Sequence, residues 1–223
     1  MLDLSILSWL TFEINDECPL TAVHPECPRN HDRWGDRDIS RTLDTNSIIK
    51  FVDFCTREFG FSGLLTFHYY NEPLESMDDV YGLVLRYPGR VSLWTNGLRF
   101  HRYLNPIETT IIEKAHDVVV TRYPENDYLE ETLAGYVGIM KVRFQYIDLD
   151  NRAEQSDNPV FHEGYERCGR PNWELITDYH GYVHLCCADY TGETKLGNIL
   201  TDNPYEVLEK WNAHREHVLS LQP

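Results

Sequence analysis

Apolar positions in this chain recur with two periods that alternate repeatedly. Ile6 to Ile14 is rich in β-branched and aromatic residues and reads as a strand, running into a polar, proline-bearing loop from Asn15 to Arg37. Thr45 to Glu58 switches to a helical period, with Ile48, Ile49, Phe51, Val52, Phe54 and Cys55 on or near one side and Gly60 placed to end it. Leu64 to Tyr69 reads as a short apolar strand, followed by a loop carrying Asn71, Glu72 and Pro73. Met77 to Arg86 predicts a helix, Val91 to Trp94 a strand and Thr95-Asn96-Gly97 a turn. A helix over Pro106 to Ala115, a valine-rich strand over Asp117 to Thr121, a helix over Asp127 to Tyr136 and a strand over Lys141 to Ile147 continue the series.

Strands separated by helices of this length favour an α/β fold with parallel pairing through right-handed crossovers. Functional loops in such folds gather at the C-terminal ends of the strands. The pattern changes at Asn151 to His162, which is polar and without period. Beyond it, Trp173 to Thr177 and Tyr182 to Cys186 flank a His180-Gly181 turn and predict a β-hairpin, and Pro204 to His217 predicts a terminal helix. The expected organisation is a main unit over residues 1–160 and a small hairpin-plus-helix module over 161–223.

Charge narrows the function. The chain carries 36 acidic and 20 basic residues, a net charge of −16, and such a field repels phosphate backbones, which argues against a nucleic-acid partner. No run reaches the roughly 18 apolar residues that span a bilayer, so no membrane association is expected. The apolar start lacks a basic leader and soon meets Glu13, Asp16 and Glu17, so it reads as a strand rather than a signal peptide. The expectation is a cytoplasmic protein whose six cysteines stay reduced, as metal ligands, reactive thiols or core residues. Cys55 reads as a small core hydrophobe on its helix, while His101, His116, His214 and His217 read as solvated or core residues.

The chemistry begins after the first strand, in Cys18-Pro-Leu-Thr-Ala-Val-His24-Pro-Glu-Cys27-Pro28. Two thiols and an imidazole on one loop suit a soft metal. Two metal readings are open: a zinc site formed by Cys18, His24, Cys27 and His31, or an iron–sulfur cluster on Cys18 and Cys27 with His24 as a substitute ligand.

The stretch from Thr11 to Pro28 resembles the opening of a radical S-adenosylmethionine (SAM) domain, where a strand delivers C-x3-C-x2-C to a 4Fe-4S cluster with one iron open to SAM. Cys18 matches the first cysteine and Cys27-Pro28 the last. His24 stands where the middle cysteine belongs, with two extra residues before it. Phe67-His-Tyr-Tyr-Asn71-Glu72-Pro73-Leu74 resembles the family's GGEP segment, which receives the SAM amino group; Tyr70 and Asn71 replace its glycines. Val91-Ser-Leu-Trp-Thr95-Asn96-Gly97 is similar to the third strand and its turn. Asp117-Val-Val-Val-Thr121-Arg122 is similar to the fourth, which carries polar groups toward the SAM ribose or carboxylate.

Cys168 to Trp211 resembles the SPASM module or its shorter twitch form, which opens with C-x(9–15)-G-x4-C, matched here by Cys168, Gly181 and Cys186. No cysteine follows Cys187, so a full all-cysteine auxiliary cluster needs a ligand from elsewhere. The resemblance, covering roughly residues 10 to 215, implies a partial (β/α) barrel and an enzyme that cleaves SAM reductively and abstracts hydrogen from a peptide or small-metabolite substrate. Cys18, His24 and Cys27 are the expected cluster ligands. Asn71, Glu72, Thr95, Asn96, Thr121 and Arg122 are the expected SAM contacts, and Cys168 and Cys186 the donors to a second iron–sulfur cluster. The alternative is a non-catalytic relative that binds a protein partner and holds zinc or no metal.

Overall fold

A computed structural model describes residues 4–23, 42–137, 141–145, 170–187, 189, 192 and 194–220. Seven strands form one sheet: β1 (Trp9–Phe12), β2 (Leu64–Thr66), β3 (Arg90–Thr95), β4 (Asp117–Thr121), β5 (Val142–Gln145), β6 (Glu174–Thr177) and β7 (Val183–His184). Their order is β5-β4-β3-β2-β1-β6-β7. The pairs from β5 across to β6 are parallel, and β7 alone returns antiparallel to β6. Between the parallel strands run α1 (Thr45–Phe59), α2 (Met77–Arg86), α3 (Pro106–Lys114), α4 (Leu129–Thr132) and α5 (Ala134–Val137), and α6 (Pro204–Ser220) closes the chain.

Helix α1 keeps its predicted limits because both ends are capped. The Asp44 carboxylate accepts from the Ser47 N–H, and Gly60 takes the left-handed conformation (φ 69°), donating to the carbonyls of Cys55 and Thr56. Helix α3 starts in a capping box between Asn105 and Glu108. The single helix expected over Asp127 to Tyr136 is instead two short ones. Leu129 and Leu133 are buried, but the Leu133 N–H is shared between the carbonyls of Leu129 and Glu131, and Gly135 weakens continuation beyond it. β2 also stops earlier than expected: the Asn71 side chain accepts from the Tyr69 N–H and donates to the Phe67 carbonyl, folding the segment into a turn.

The two sheet faces differ in chemistry. Leu10, Phe12, Leu65, Phe67, Val91, Leu93, Val118, Val120, Val142 and Leu175 join one apolar core with Ile48, Phe51, Val52, Val80, Leu83, Ile111, Ile112 and Trp211 from the helices. Cys55 lies fully inside this core, and burial pushes its thiol up to about 12. On the opposite face, strand alternation places Thr11 of β1 beside Thr66 of β2, Thr66 beside Ser92 of β3, and Ser92 beside Asp117 of β4. Thr11, Thr66 and Ser92 are as buried as the apolar core. That second face is the interior of an open, partial (β/α) barrel. The predicted C-terminal hairpin belongs to the same sheet, since β6 pairs with β1 in parallel from Trp9–Glu174 to Phe12–Thr177.

Leu10 lies at the centre of this arrangement, on a strand paired on both sides. Leu10→Ala is expected to cost about 2–5 kcal/mol, read as a lower urea midpoint at unchanged denaturant slope.

Candidate functional site

Four parallel strands end on one rim, and a single buried carboxylate gathers three of those ends. Glu72, 3 % exposed, follows β2. Its Oε1 accepts from the Thr95 hydroxyl at 2.5 Å and from the Leu74 N–H at 3.0 Å, and its Oε2 accepts from the Asn96 N–H at 2.7 Å. Its own N–H donates to the Glu17 carbonyl at 2.6 Å, one residue before Cys18. Its carbonyl accepts from the side chain of Asn15, which also reaches Ser76 Oγ at 3.0 Å. Burial raises the Glu72 carboxyl to about 7, against the lowering effect of the three donors.

The rim continues through Asn126, whose amide nitrogen donates to the carbonyls of Asn96 (2.5 Å) and Thr121 (2.7 Å). The Thr121 hydroxyl accepts from the Gln145 side chain at 3.0 Å, which extends the rim to β5. Gly97 holds the turn after β3 with φ 72°, and a Cβ there would lie 2.5 Å from Leu129 Cδ1, so both conformation and space require glycine. Asn96 is 6 % exposed. Its Oδ1 accepts from Leu98 N–H, while its buried Nδ2 has no hydrogen-bond partner among the described residues. An orphaned amide donor of this kind fits a ligand that brings an acceptor to the rim.

Of the SAM contacts expected from sequence, Glu72, Thr95, Asn96 and Thr121 fall on this connected rim, with Asn71 shaping the loop before Glu72. Arg122 sits at its outer side, paired with Glu130 and lying 5.3 Å over the Phe144 ring. Cys18 is half-buried next to Glu17, and Cys186 and Cys187 are half-buried just beyond β7. Among the described residues no three His, Cys, Asp or Glu side chains converge to hold a metal ion. The remaining expected donors, His24, Cys27 and Cys168, lie outside the described residues, as does His31.

Several contacts among polar groups at the site escape a sequence reading. Inside the barrel, the Thr11 hydroxyl bonds to Thr66 Oγ1 and to Glu174 Oε1, both at 2.7 Å, and burial raises the Glu174 carboxyl. His68 stacks on Trp94 with centroids 4.9 Å apart, and the Arg143 guanidinium lies 5.2 Å from the same ring. At the other edge His184, fully buried, sits between Asp178 (2.9 Å) and Asp189 (3.1 Å). Burial alone would depress its imidazole, but the two carboxylates outweigh that and bring it up to about 9. Asp189 moves the other way: burial would raise it, yet the bonds from His184 and Thr194 hold it at about 2. Asp178, His184 and Asp189 lie within twelve residues in the sequence, and nothing in that spacing says that they face each other.

No protein-family profile and no curated protein matches this sequence. Solved structures do. BtrN in complex with AdoMet and 2-DOIA is 20 % identical, with a TM-score of 0.76 over 96 % of this chain and 87 % of that one. BtrN in an open conformation, also 20 % identical, gives a TM-score of 0.62 over 94 % and 84 %. SuiB of Streptococcus suis bound to precursor peptide SuiA is 10 % identical with a TM-score of 0.34 over 92 % and 64 %, too distant to argue from. The chain thus shares the fold of BtrN, an α/β partial barrel with a mostly parallel sheet. Among the described residues no helix is long and apolar enough to cross a membrane.

Glu72 gives the rim a pH signature. Its folded carboxyl binds a proton that the unfolded chain has already released, so its contribution to stability falls as pH rises from about 4.5 to about 7. Urea unfolding at both ends of that window should show a smaller pH-dependent loss for Glu72→Gln than for the parent chain.

Proposed function

We propose that the chain is a radical SAM enzyme, with a 4Fe-4S cluster held by Cys18, His24 and Cys27 and SAM seated on the rim of Asn71, Glu72, Thr95, Asn96, Thr121 and Arg122. The observation that carries this reading is the amide nitrogen of Asn96, without a partner among the described residues and buried beside Glu72 at the mouth of a polar barrel interior. A purely structural turn would leave that donor unsatisfied at a cost, and a bound ligand bearing carboxylate, ribose or ring acceptors removes the cost. The fold shared with BtrN, solved with AdoMet, supports the same ligand.

When bound and reduced, the cluster supplies the electron that cleaves SAM and so starts hydrogen abstraction from substrate. The chain's own part is to position. Glu72 ties the main chain just before Cys18, through Glu17, to the turn carrying Asn96, so Cys18 and the cofactor contacts keep one spacing. The inner wall of Thr11, Thr66 and Glu174 offers hydroxyl and carboxyl partners to a polar substrate, a small metabolite or a peptide. Cys168 and Cys186 would be the donors to a second iron–sulfur cluster.

Anaerobic reconstitution tests the assignment. Bound iron and sulfide, calorimetric binding of SAM and release of 5′-deoxyadenosine are expected, with cluster content lost in Cys18→Ala and Cys27→Ala. Asn96→Ala should weaken SAM binding about tenfold, the worth of one hydrogen bond, at unchanged iron content. Stoichiometric zinc without sulfide would overturn the enzyme reading in favour of a non-catalytic partner protein.

A further inference from the structure

Arg143 places a guanidinium on the inner wall of the barrel, and strand register fixes where. On that face Trp94 of β3 pairs with Val119 of β4, and Val119 with Arg143 of β5. His68 stands on the same face two residues beyond Thr66, just past β2. This layer lies one step nearer the rim than Thr11, Thr66 and Ser92, and one step below Thr121 and Gln145.

Three side chains of the layer stack. The His68 and Trp94 rings lie 4.9 Å apart and 13° from parallel, and the Arg143 guanidinium sits 5.2 Å from the centroid of the same indole. β2 and β5 lie on opposite sides of β3 in the sheet, so histidine and arginine approach the indole from opposite directions. Trp94 Nε1 donates to Ser92 Oγ at 3.1 Å, which fixes how the indole is turned. A guanidinium over a ring uses its face and leaves its edge of N–H donors for other partners. Among the described residues its one hydrogen-bond or ion-pair partner is Asp117, whose Oδ2 is 3.4 Å from Nη2. A close charge-assisted bond is about 2.7–2.9 Å long, so that contact leaves the donors largely unused. The Arg143 side chain is 56 % exposed, which opens those donors to a ligand.

A single guanidinium supplies one positive charge and a planar fork. Both match a carboxylate, whereas a phosphate dianion would leave a charge unbalanced beside Asp117 in a chain of net charge −16. Two residues along a strand span about 7 Å, so an acid held by Arg143 lies within one small molecule's length of the rim at Thr121.

We propose that Arg143, held over Trp94, binds the carboxylate of an acidic substrate inside the barrel and so sets the substrate class. That the acid is a substrate rests on the radical SAM reading above; that the site takes a carboxylate rests on the stack alone.

Binding of benzoate and of benzamide, its uncharged amide, to the full, anaerobically reconstituted chain tests the site. The readout is the Trp94 indole N–H resonance, identified among the five tryptophans by its loss in Trp94→Phe. In the parent, benzoate should shift that resonance and bind about tenfold more tightly than benzamide. Arg143→Gln should weaken benzoate about tenfold with the remaining indole signals in place. Arg143→Lys, which keeps the charge but not the fork, should recover only part of that loss. SAM affinity, measured by calorimetry, should be equal in the parent and in Arg143→Gln. No shift with benzoate, equal affinity for the two probes, or full benzoate binding in Arg143→Gln overturns the proposal, as does tighter binding of inorganic phosphate than of benzoate. Weaker SAM binding in Arg143→Gln assigns the guanidinium to the cofactor and overturns it too. Failure of the parent to bind SAM removes the cofactor reading, and the benzoate comparison still decides the carboxylate site.

Discussion

A carboxylate cannot be buried at the meeting point of several strand ends unless donors converge on it, and Glu72 forces that convergence here. Its two oxygens collect a hydroxyl and an N–H from the end of β3 and an N–H from its own loop, while its main chain engages Glu17 and Asn15 beyond β1. Removing any one donor leaves a desolvated oxygen or N–H behind, which is why the loops after β1, β2 and β3 hold one another in place. Cys18 inherits its position from this arrangement. Cys18 follows directly on the residue whose carbonyl Glu72 engages.

The barrel interior obeys the same constraint on a larger scale. Thr11, Thr66, Ser92 and Glu174 occupy positions that a simple core would fill with aliphatic side chains, and they are buried all the same. The hydroxyl relay from Thr66 through Thr11 to Glu174 satisfies part of this polar lining. An interior built in this way suits a polar ligand better than dense apolar packing does. The helix-facing side of the sheet shows the contrast, since it is mostly apolar and buries Cys55 as an inert thiol.

At the β6–β7 edge the balance is electrostatic. Asp178 and Asp189 would each be costly to bury, and the buried His184 between them compensates both. That cluster fixes the start and end of the loop bearing Cys186 and Cys187, and the hydroxyls of Tyr69 and Tyr70, donating to the carbonyls of Asp189 and Cys187, connect it to the rim. The C-terminal hairpin is therefore joined to the barrel twice, through the sheet at β1 and through side chains at Tyr69 and Tyr70.

Much of the architecture was already set by local sequence. Met77–Arg86 and Asp117–Thr121 form over the ranges their periodicity predicts, Asp44 and Gly60 bound α1, and the order of strands and helices implies a parallel α/β sheet with its functional loops at one end. Glu72, Thr95 and Asn96 stand in motifs at or just after strand ends, a placement the sequence pattern by itself indicates. The partners that connect them were not. Asn15, Asn126, Glu174 and Asp178 are ordinary polar residues in sequence, and only the curvature of the sheet buries them and chooses which donor meets which acceptor. Periodicity is a property of neighbours along the chain, whereas a buried hydrogen bond joins residues tens of positions apart. Composition and spacing therefore determined the elements and their order, and tertiary packing alone decided that Glu72 would be the knot that ties them.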